Sequence, residues 1–412
     1  MALLFLPFVF SFLFITPQPI NSQSPKMNPN DLNALLKIKN TLTEIPTSPS
    51  SPPFFSTWNF SAAAADPCTS FAGVTCSATT SRVTILTLGT GLSDSPILAG
   101  TLSPAIAELT ELTQLILFSG IVTGPIPTQI GFLKNLRVIS LTNNRLTGEI
   151  PVQISHLPNL HTLDLSRNHL SGSIPNELAG LSQLKVLVLS YNKLTGQLPG
   201  KLPAQLLHLD LTGNFFSGTL PPQFPASLRY LSLSNNQMWG PVSGLESSTE
   251  LTYVDLSMNR FSGSIPGPLF RPGITSIFLQ RNNLSGRVPR TPSWMYGVGS
   301  TVDLSHNFLT GELTASLIGV ETLFLNNNKL TGSIPEGYVE SVMDGSMKTL
   351  YLQHNYITGF PLEVGSVLPD AAAVCLSYNC MAAPPLGMTA CPASAGDLLS
   401  RPPYQCSALK EP

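Results

Sequence analysis

The chain has 412 residues, only 11% of them charged, with a formal net charge of −2. So small a charge gives no field to gather nucleic acid or an anionic membrane, and both are disfavoured as partners. The six cysteines are an even number, which suits disulfides in an oxidising compartment.

Ala2 to Ile15 is an apolar run broken by Pro7 and followed by polar Asn21-Ser-Gln-Ser24. It is short for a membrane span and suits the apolar region of a signal peptide, with residues 1–23 removed after Gln23. No second apolar run of 18 residues follows, and Ser407 to Pro412 has no lipid-anchor character, so the mature chain is expected to be secreted and soluble. From Asn28 to Leu42, the residues Leu32, Leu35, Leu36, Ile38 and Leu42 predict one apolar helical face, with Asn30 or Asp31 as N-cap. A Ser/Pro loop (Pro46 to Pro53), Trp58 and Asp66-Pro-Cys68 through Cys76 complete an N-terminal cap over residues 24–82.

Residues 83–370 repeat. Leu136-Arg-Val-Ile139-Ser-Leu141-Thr-Asn-Asn144-Arg-Leu146-Thr-Gly148-Glu-Ile150-Pro151 returns 24 residues later as Leu160 to Pro175. Apolar residues stand at phases 1, 4, 6 and 11, Asn at 9 and Gly at 13, the pattern of a leucine-rich repeat. Coils begin at Val83, Leu112, Leu136, Leu160, Leu184, Leu206, Leu228, Leu251, Ile274, Gly299, Val320 and Met347, and a vestigial one at Ala371. From Asn144 to Asn379, phase 9 is Asn in every coil. Phases 4 and 6 point one way from the strand and 3, 5 and 7 the other. A single coil cannot bury its apolar side, but stacked coils share one core. The phase-9 amide can donate to and accept from backbone of adjacent coils. The fold class is therefore an α/β repeat, a right-handed solenoid of about 12 coils plus the vestigial one, capped by disulfides at both ends.

Irregular coils interrupt the pattern. Leu92 to Ile97 is an insertion, and two 22-residue coils end in Leu202-Pro-Ala-Gln205 and Phe224-Pro-Ala-Ser227, which predicts a tighter outer wall. Trp294-Met-Tyr296 reads as exposed, and Tyr338 to Met343 as one or two helical turns. These are surface decoration or recognition loops. Residues 371–412 form a C-terminal cap with Cys375, Cys380, Cys391 and Cys406, whose three possible pairings stay open, while Cys68 is expected to bond Cys76. No Cys-x-x-Cys is present, so no metal is expected.

The cap from Trp58 to Cys76 and the Leu-Thr-Gly-x-Ile-Pro endings (Leu330 to Pro335) resemble those of plant extracellular leucine-rich repeat proteins: receptor-like kinases, receptor-like proteins and polygalacturonase inhibitors. Phe71 stands where that family more often has Trp. The resemblance implies a twisted superhelix with a second short strand per coil, and an acidic wall compartment.

No catalytic constellation is present. Asp164, Ser166 and His169 suggest a triad, but Asp-Leu-Ser recurs at Asp255 and Asp303, which marks it as repeat grammar. No P-loop, dinucleotide fingerprint or zinc-protease motif occurs, and no cofactor is implied. The working surface is the inner face, at phases 3, 5, 7, 8 and 10. A ligand-binding patch is expected at Phe278, Arg281, Asp303, His306, Phe324, Tyr351 and His354, spanning roughly 15 Å at about 4.8 Å per strand. A second patch comprises His208, Tyr230 and Tyr253 with Tyr191 alongside. His306 and His354 titrate near pH 6 to 7 when unperturbed, which would make binding pH-dependent. Asn59-Phe-Ser61 and Asn283-Leu-Ser285 are glycosylation sequons, the second beside the first patch. These residues point to a secreted, apoplastic recognition protein for a peptide, wall glycan or receptor ectodomain, without kinase or membrane span. The alternative is an inhibitor of a microbial wall-degrading enzyme.

Overall fold

The computed structural model describes residues 26–47, 52–61, 66–92, 95–271, 273–291, 296–362, 366–381, 391–396, 398 and 400–407. The expected signal peptide and its cleavage point, Trp294, and the C-terminal tail from residue 408 lie outside them.

The repeat phases become a leucine-rich repeat solenoid. A 14-stranded sheet begins with Val74–Cys76, antiparallel to Val83–Leu88, and continues in parallel order to Ala373–Cys375. The vestigial coil thus still contributes a strand. Leu136, Ile139, Leu141 and Leu146, at phases 1, 4, 6 and 11, are fully buried, and the same phases fill the core along the stack. A second, nine-stranded parallel sheet runs from Ser171–Gly172 to Tyr356–Gly359, built from phases 10 to 13. Its strands turn away at the phase-13 glycines, which hold positive φ (Gly172 +78°, Gly263 +81°), a backbone state that glycine adopts without steric cost.

The phase-9 asparagines bind the coils together. Asn168 Nδ2 donates to Leu165 O of its own coil (3.2 Å) and to Leu141 O of the preceding one (2.8 Å), while its Oδ1 accepts from Leu146 N (3.0 Å). Ten of the eleven, from Asn168 to Asn379, donate to the phase-6 carbonyl of both coils, so the turn leaving each strand keeps its polar groups paired.

The outer wall carries short 3-10 turns such as Thr128–Phe132 and Asn176–Gly180. Through the two 22-residue coils the wall has no helical turn among the described residues, in keeping with their shorter path. The helical turns expected from Tyr338 to Met343 are present. Tyr338 lies in the helix Glu336–Met343, fully buried, and its hydroxyl donates to Thr314 O (2.6 Å). Tyr296 is likewise half-buried, donating to Ser316 O (3.0 Å), and burial lifts its hydroxyl to a pKa of about 12. Sequence alone reads Tyr296 as exposed because the backbone that covers it comes from the next coil.

At the N-terminus the helix Pro29–Lys39 is capped by Asn28, whose side chain accepts from Asn30 N, and not by Asn30 or Asp31. Asp31 is buried instead, held by Arg82. The apolar face is Ala34, Leu35 and Ile38; Leu36 is exposed and Leu42 belongs to the strand Leu42–Ile45. That strand pairs with Ile97–Thr101, where coil 1 resumes after its insertion. Trp58 stacks on Phe71 (5.2 Å between centroids), so phenylalanine serves as the aromatic plug of the cap. The disulfides are Cys68–Cys76, Cys375–Cys391 and Cys380–Cys406.

Candidate functional site

The side chains of phases 3 and 5 stand on the inner face of the main sheet, half-buried by their neighbours. Phase 3 reads His208, Tyr230 and Tyr253 on three adjoining strands, in register. Their rings stack nearly parallel, at 4.0 and 4.4 Å between centroids. Tyr253 then meets Phe278, a phase-5 residue on the next strand, at 5.6 Å. The two patches expected separately are therefore one row, joined by a diagonal contact that the repeat phases do not reveal. Beyond Phe278 the phase-5 register continues as Asp303, Phe324 and Tyr351, the last two packed edge to face at 5.3 Å.

Tyr191 does not belong to this row. It occupies phase 8, half-exposed, with Arg167 over its ring at 4.6 Å. Phase 8 adopts left-handed backbone in coil after coil (Arg281 φ 57°, His306 54°, His354 59°), which turns these side chains off the strand and onto its rim. Two further phases are not the inner surface. Phase-7 residues such as Ser190, Ser257 and Ser305 are buried. Some bond across coils, as Thr212 does with Ser232 (2.6 Å between their hydroxyl oxygens). Phase 10 lies in the second sheet, and so does Asn283, exposed in the strand Asn283–Gly286. A glycan there would project from that sheet, beside rather than across the ring row.

The histidines are covered more than their phases suggest. His354 Nε2 lies 3.0 Å from Ala395 O of the C-terminal cap, and its ring packs near Tyr378 (5.1 Å). His306 Nε2 approaches Asn327 Nδ2 at 3.4 Å. Burial, and then Arg281 and His354, push His306 below the usual imidazole range. Burial, and then Arg401, do the same for His354, outweighing its bond to Ala395. Burial also lowers His208. The expectation that His306 and His354 titrate in the unperturbed range is therefore corrected: burial shifts both towards the neutral form.

A stability consequence follows. The unfolded chain takes up protons on these imidazoles near pH 6.5 while the folded chain resists, so stability is greatest above that pH and falls as pH drops towards the folded values. The melting temperature should be lower at pH 5.5 than at 7.5, and His208→Asn with His354→Asn should flatten the difference in a scanning calorimeter. An unchanged pH slope in that variant would refute the assignment.

The Asp-Leu-Ser segments are structural. Asp164 Oδ1 accepts from Ser166 N and Oγ, and Asp255 and Asp303 accept from the backbone N–H two residues on. His169 Nδ1 contacts Asn168 O, so no triad forms. Among the described residues no cluster of His, Cys, Asp and Glu could hold a metal, and no helix is long and apolar enough to cross a membrane.

The comparisons agree with this architecture. Family models for the leucine-rich repeat match residues 134–194, 205–226, 250–271 and 319–338, and that for the leucine-rich repeat N-terminal domain matches 28–77. Among solved structures, a plant ice-binding protein is 25% identical with a TM-score of 0.58, covering 83% of this chain and 100% of that one. A TDR receptor is 26% identical with a TM-score of 0.55, covering 69% and 58%. The Arabidopsis receptor kinase HAESA, in complex with the peptide hormone IDA and the co-receptor SERK1, is 24% identical with a TM-score of 0.55, covering 86% and 66%, a likeness of fold. This chain thus spans less than two thirds of either receptor chain. No curated protein matches the sequence. With its N-terminal cap, its asparagine-bound coils and its second sheet, the chain is a leucine-rich repeat protein, similar in structure to plant leucine-rich repeat proteins.

Proposed function

We propose that the protein is a secreted, apoplastic recognition module that binds an extended peptide, or a segment of a receptor ectodomain, along the inner face from His208 to Tyr351. The observation that carries this reading is the ring row from His208 to Phe278, followed past Asp303 by the Phe324–Tyr351 pair, since binding energy concentrates in a few residues among which aromatic ones are enriched. The geometry also chooses among ligand classes. A wall glycan is gripped by stacking a sugar on a free ring face, but both faces of Tyr230 are taken by His208 and Tyr253, and each of those gives one face to it. What they offer a ligand is their edges and hydroxyls, which suit the donors and acceptors of a peptide backbone. The solved complex of HAESA with a peptide hormone is a precedent for the fold.

The test is affinity capture from cell-surface and apoplastic extract with the native protein and with Phe278→Ala, Phe324→Ala, Tyr351→Ala combined. A partner whose affinity drops at least about tenfold in the variant, at equal thermal stability, supports the reading. Equal retention by both refutes it. A pectin-degrading enzyme as that partner would favour the inhibitor function instead.

Glycosylation at Asn59 accords with secretion. Asn59 is exposed and its Oδ1 accepts from Ser61 N (3.0 Å) in the cap loop. The secreted protein should lose one glycan mass in Asn59→Gln, measured by intact-mass spectrometry; an unchanged mass would remove the site.

A further inference from the structure

Four aspartates occupy phase 5 of the main sheet, and all four use Oδ1 to accept the backbone N–H two residues on. That shared role leaves the second oxygen of each outside the backbone bond. Their neighbours differ. Asp164 stands between Ser140 and Val188, Asp210 between Val188 and Ser232, and Asp255 between Ser232 and Phe278. Asp303 alone of the four has a phenyl ring on both sides, Phe278 and Phe324.

We infer that this gap is a slot for one cationic side chain of the ligand, an arginine or a lysine, with Asp303 as counter-ion and the two rings as walls. The inference rests on the inner-face reading above and names the chemistry that the face selects.

The dimensions fit. Two strand spacings put the Phe278 and Phe324 backbones roughly 9.6 Å apart. A guanidinium or ammonium on the midline then lies within about 6 Å of both rings, the range of cation–π attraction. Each ring is braced from its far side, Phe278 by Tyr253 and Phe324 by Tyr351, so both are held in place as walls.

Asp303 also has no cation in contact with it: among the described residues it takes part in no ion pair. Burial raises its carboxyl above the usual range, against the opposing pull of Ser305 and, more weakly, Arg281. A carboxylate desolvated in this way gains strongly from a cation brought to it. Arg281, on the left-handed turn at the rim, is a like charge to any such ligand.

Panning a random nonapeptide library against the secreted protein tests this. The retained peptides should share an arginine or lysine at one fixed position. Asp303→Asn keeps an oxygen for Ser305 N, so the fold is preserved, and it should weaken those peptides at least tenfold. Arg281→Ala should strengthen them a few-fold, more at low salt, a change of sign that a structural role would not produce. A consensus without a cation, or a consensus bound equally by Asp303→Asn, overturns the slot. The inner-face reading survives that result if the triple ring variant still loses the peptides. If no peptide is retained, or the triple variant retains them all, both the slot and the peptide reading fall.

Discussion

Asn282→Ala should cost about 3 kcal/mol or more, because one side chain satisfies buried groups of two coils. Asn282 Nδ2 donates to Leu256 O (2.9 Å) and Leu279 O (3.1 Å), and its Oδ1 accepts from Phe261 N (3.0 Å). Phe261 and Leu279 are fully buried, so no water replaces the lost partners. Each orphaned group costs about 1–3 kcal/mol. Asn282→Asp should be at least as harmful, since a carboxylate keeps the acceptor but turns against two carbonyl oxygens. The exposed Asn135 is the control: it makes one long contact, to Thr110 O (3.4 Å), and its alanine variant should stay within about 0.5 kcal/mol. Because coils touch only their neighbours, the damage should be local, with amide exchange quickened in the coils around Asn282 and not in the N-terminal cap. Denaturant titration together with hydrogen exchange measures both. Equal stability of the Asn282 and Asn135 variants would show that the ladder adds nothing beyond the apolar core.

That ladder was legible in the sequence because it is a property of phase. Any feature set by a residue's place within its own coil could be read: the Leu/Ile core, the phase-9 amide, the phase-13 glycine. What could not be read depends on the offset between coils. Tyr253 and Phe278 stand at different phases, yet they touch, because twist carries one strand along the next. The stacking of coils also buries Tyr338 beneath a neighbouring coil's backbone, while Asn283 stands on a different sheet from the rings because phase 10 belongs to the second strand of its coil. Left-handed backbone at phase 8 sends Tyr191 to Arg167 instead of to Tyr230. The cationic slot is of the same kind. Asp303 looks like any other Asp-Leu-Ser in the sequence, and only its flanking strands distinguish it.

The N-terminal cap shows an offset of this kind with the second largest energetic consequence. Arg82→Ala should cost about 3–5 kcal/mol, and Asp31→Ala distinctly less. The pair is asymmetric: the Asp31 side chain is completely buried, while that of Arg82 keeps 19% of its surface exposed. Arg82 Nε lies 3.0 Å from both Asp31 oxygens and Nη2 lies 2.8 Å from Oδ1, with Val83 N adding a bond of 2.8 Å. Removing Arg82 strands a carboxylate in the cap with one backbone donor left. Removing Asp31 frees a guanidinium that can swing to water and still holds Thr110 Oγ1. What depends on the pair is the seating of the helix Pro29–Lys39, whose Ala34, Leu35 and Ile38 are buried in the core at the first coil. Arg82→Ala should therefore speed amide exchange in that helix and open the core edge, lowering the melting temperature. Replacing both residues by leucine should recover much of the loss, because the stranded charge disappears with its partner. If the two single variants are equally mild, the helix is held by its apolar face alone and the ion pair only sets its register.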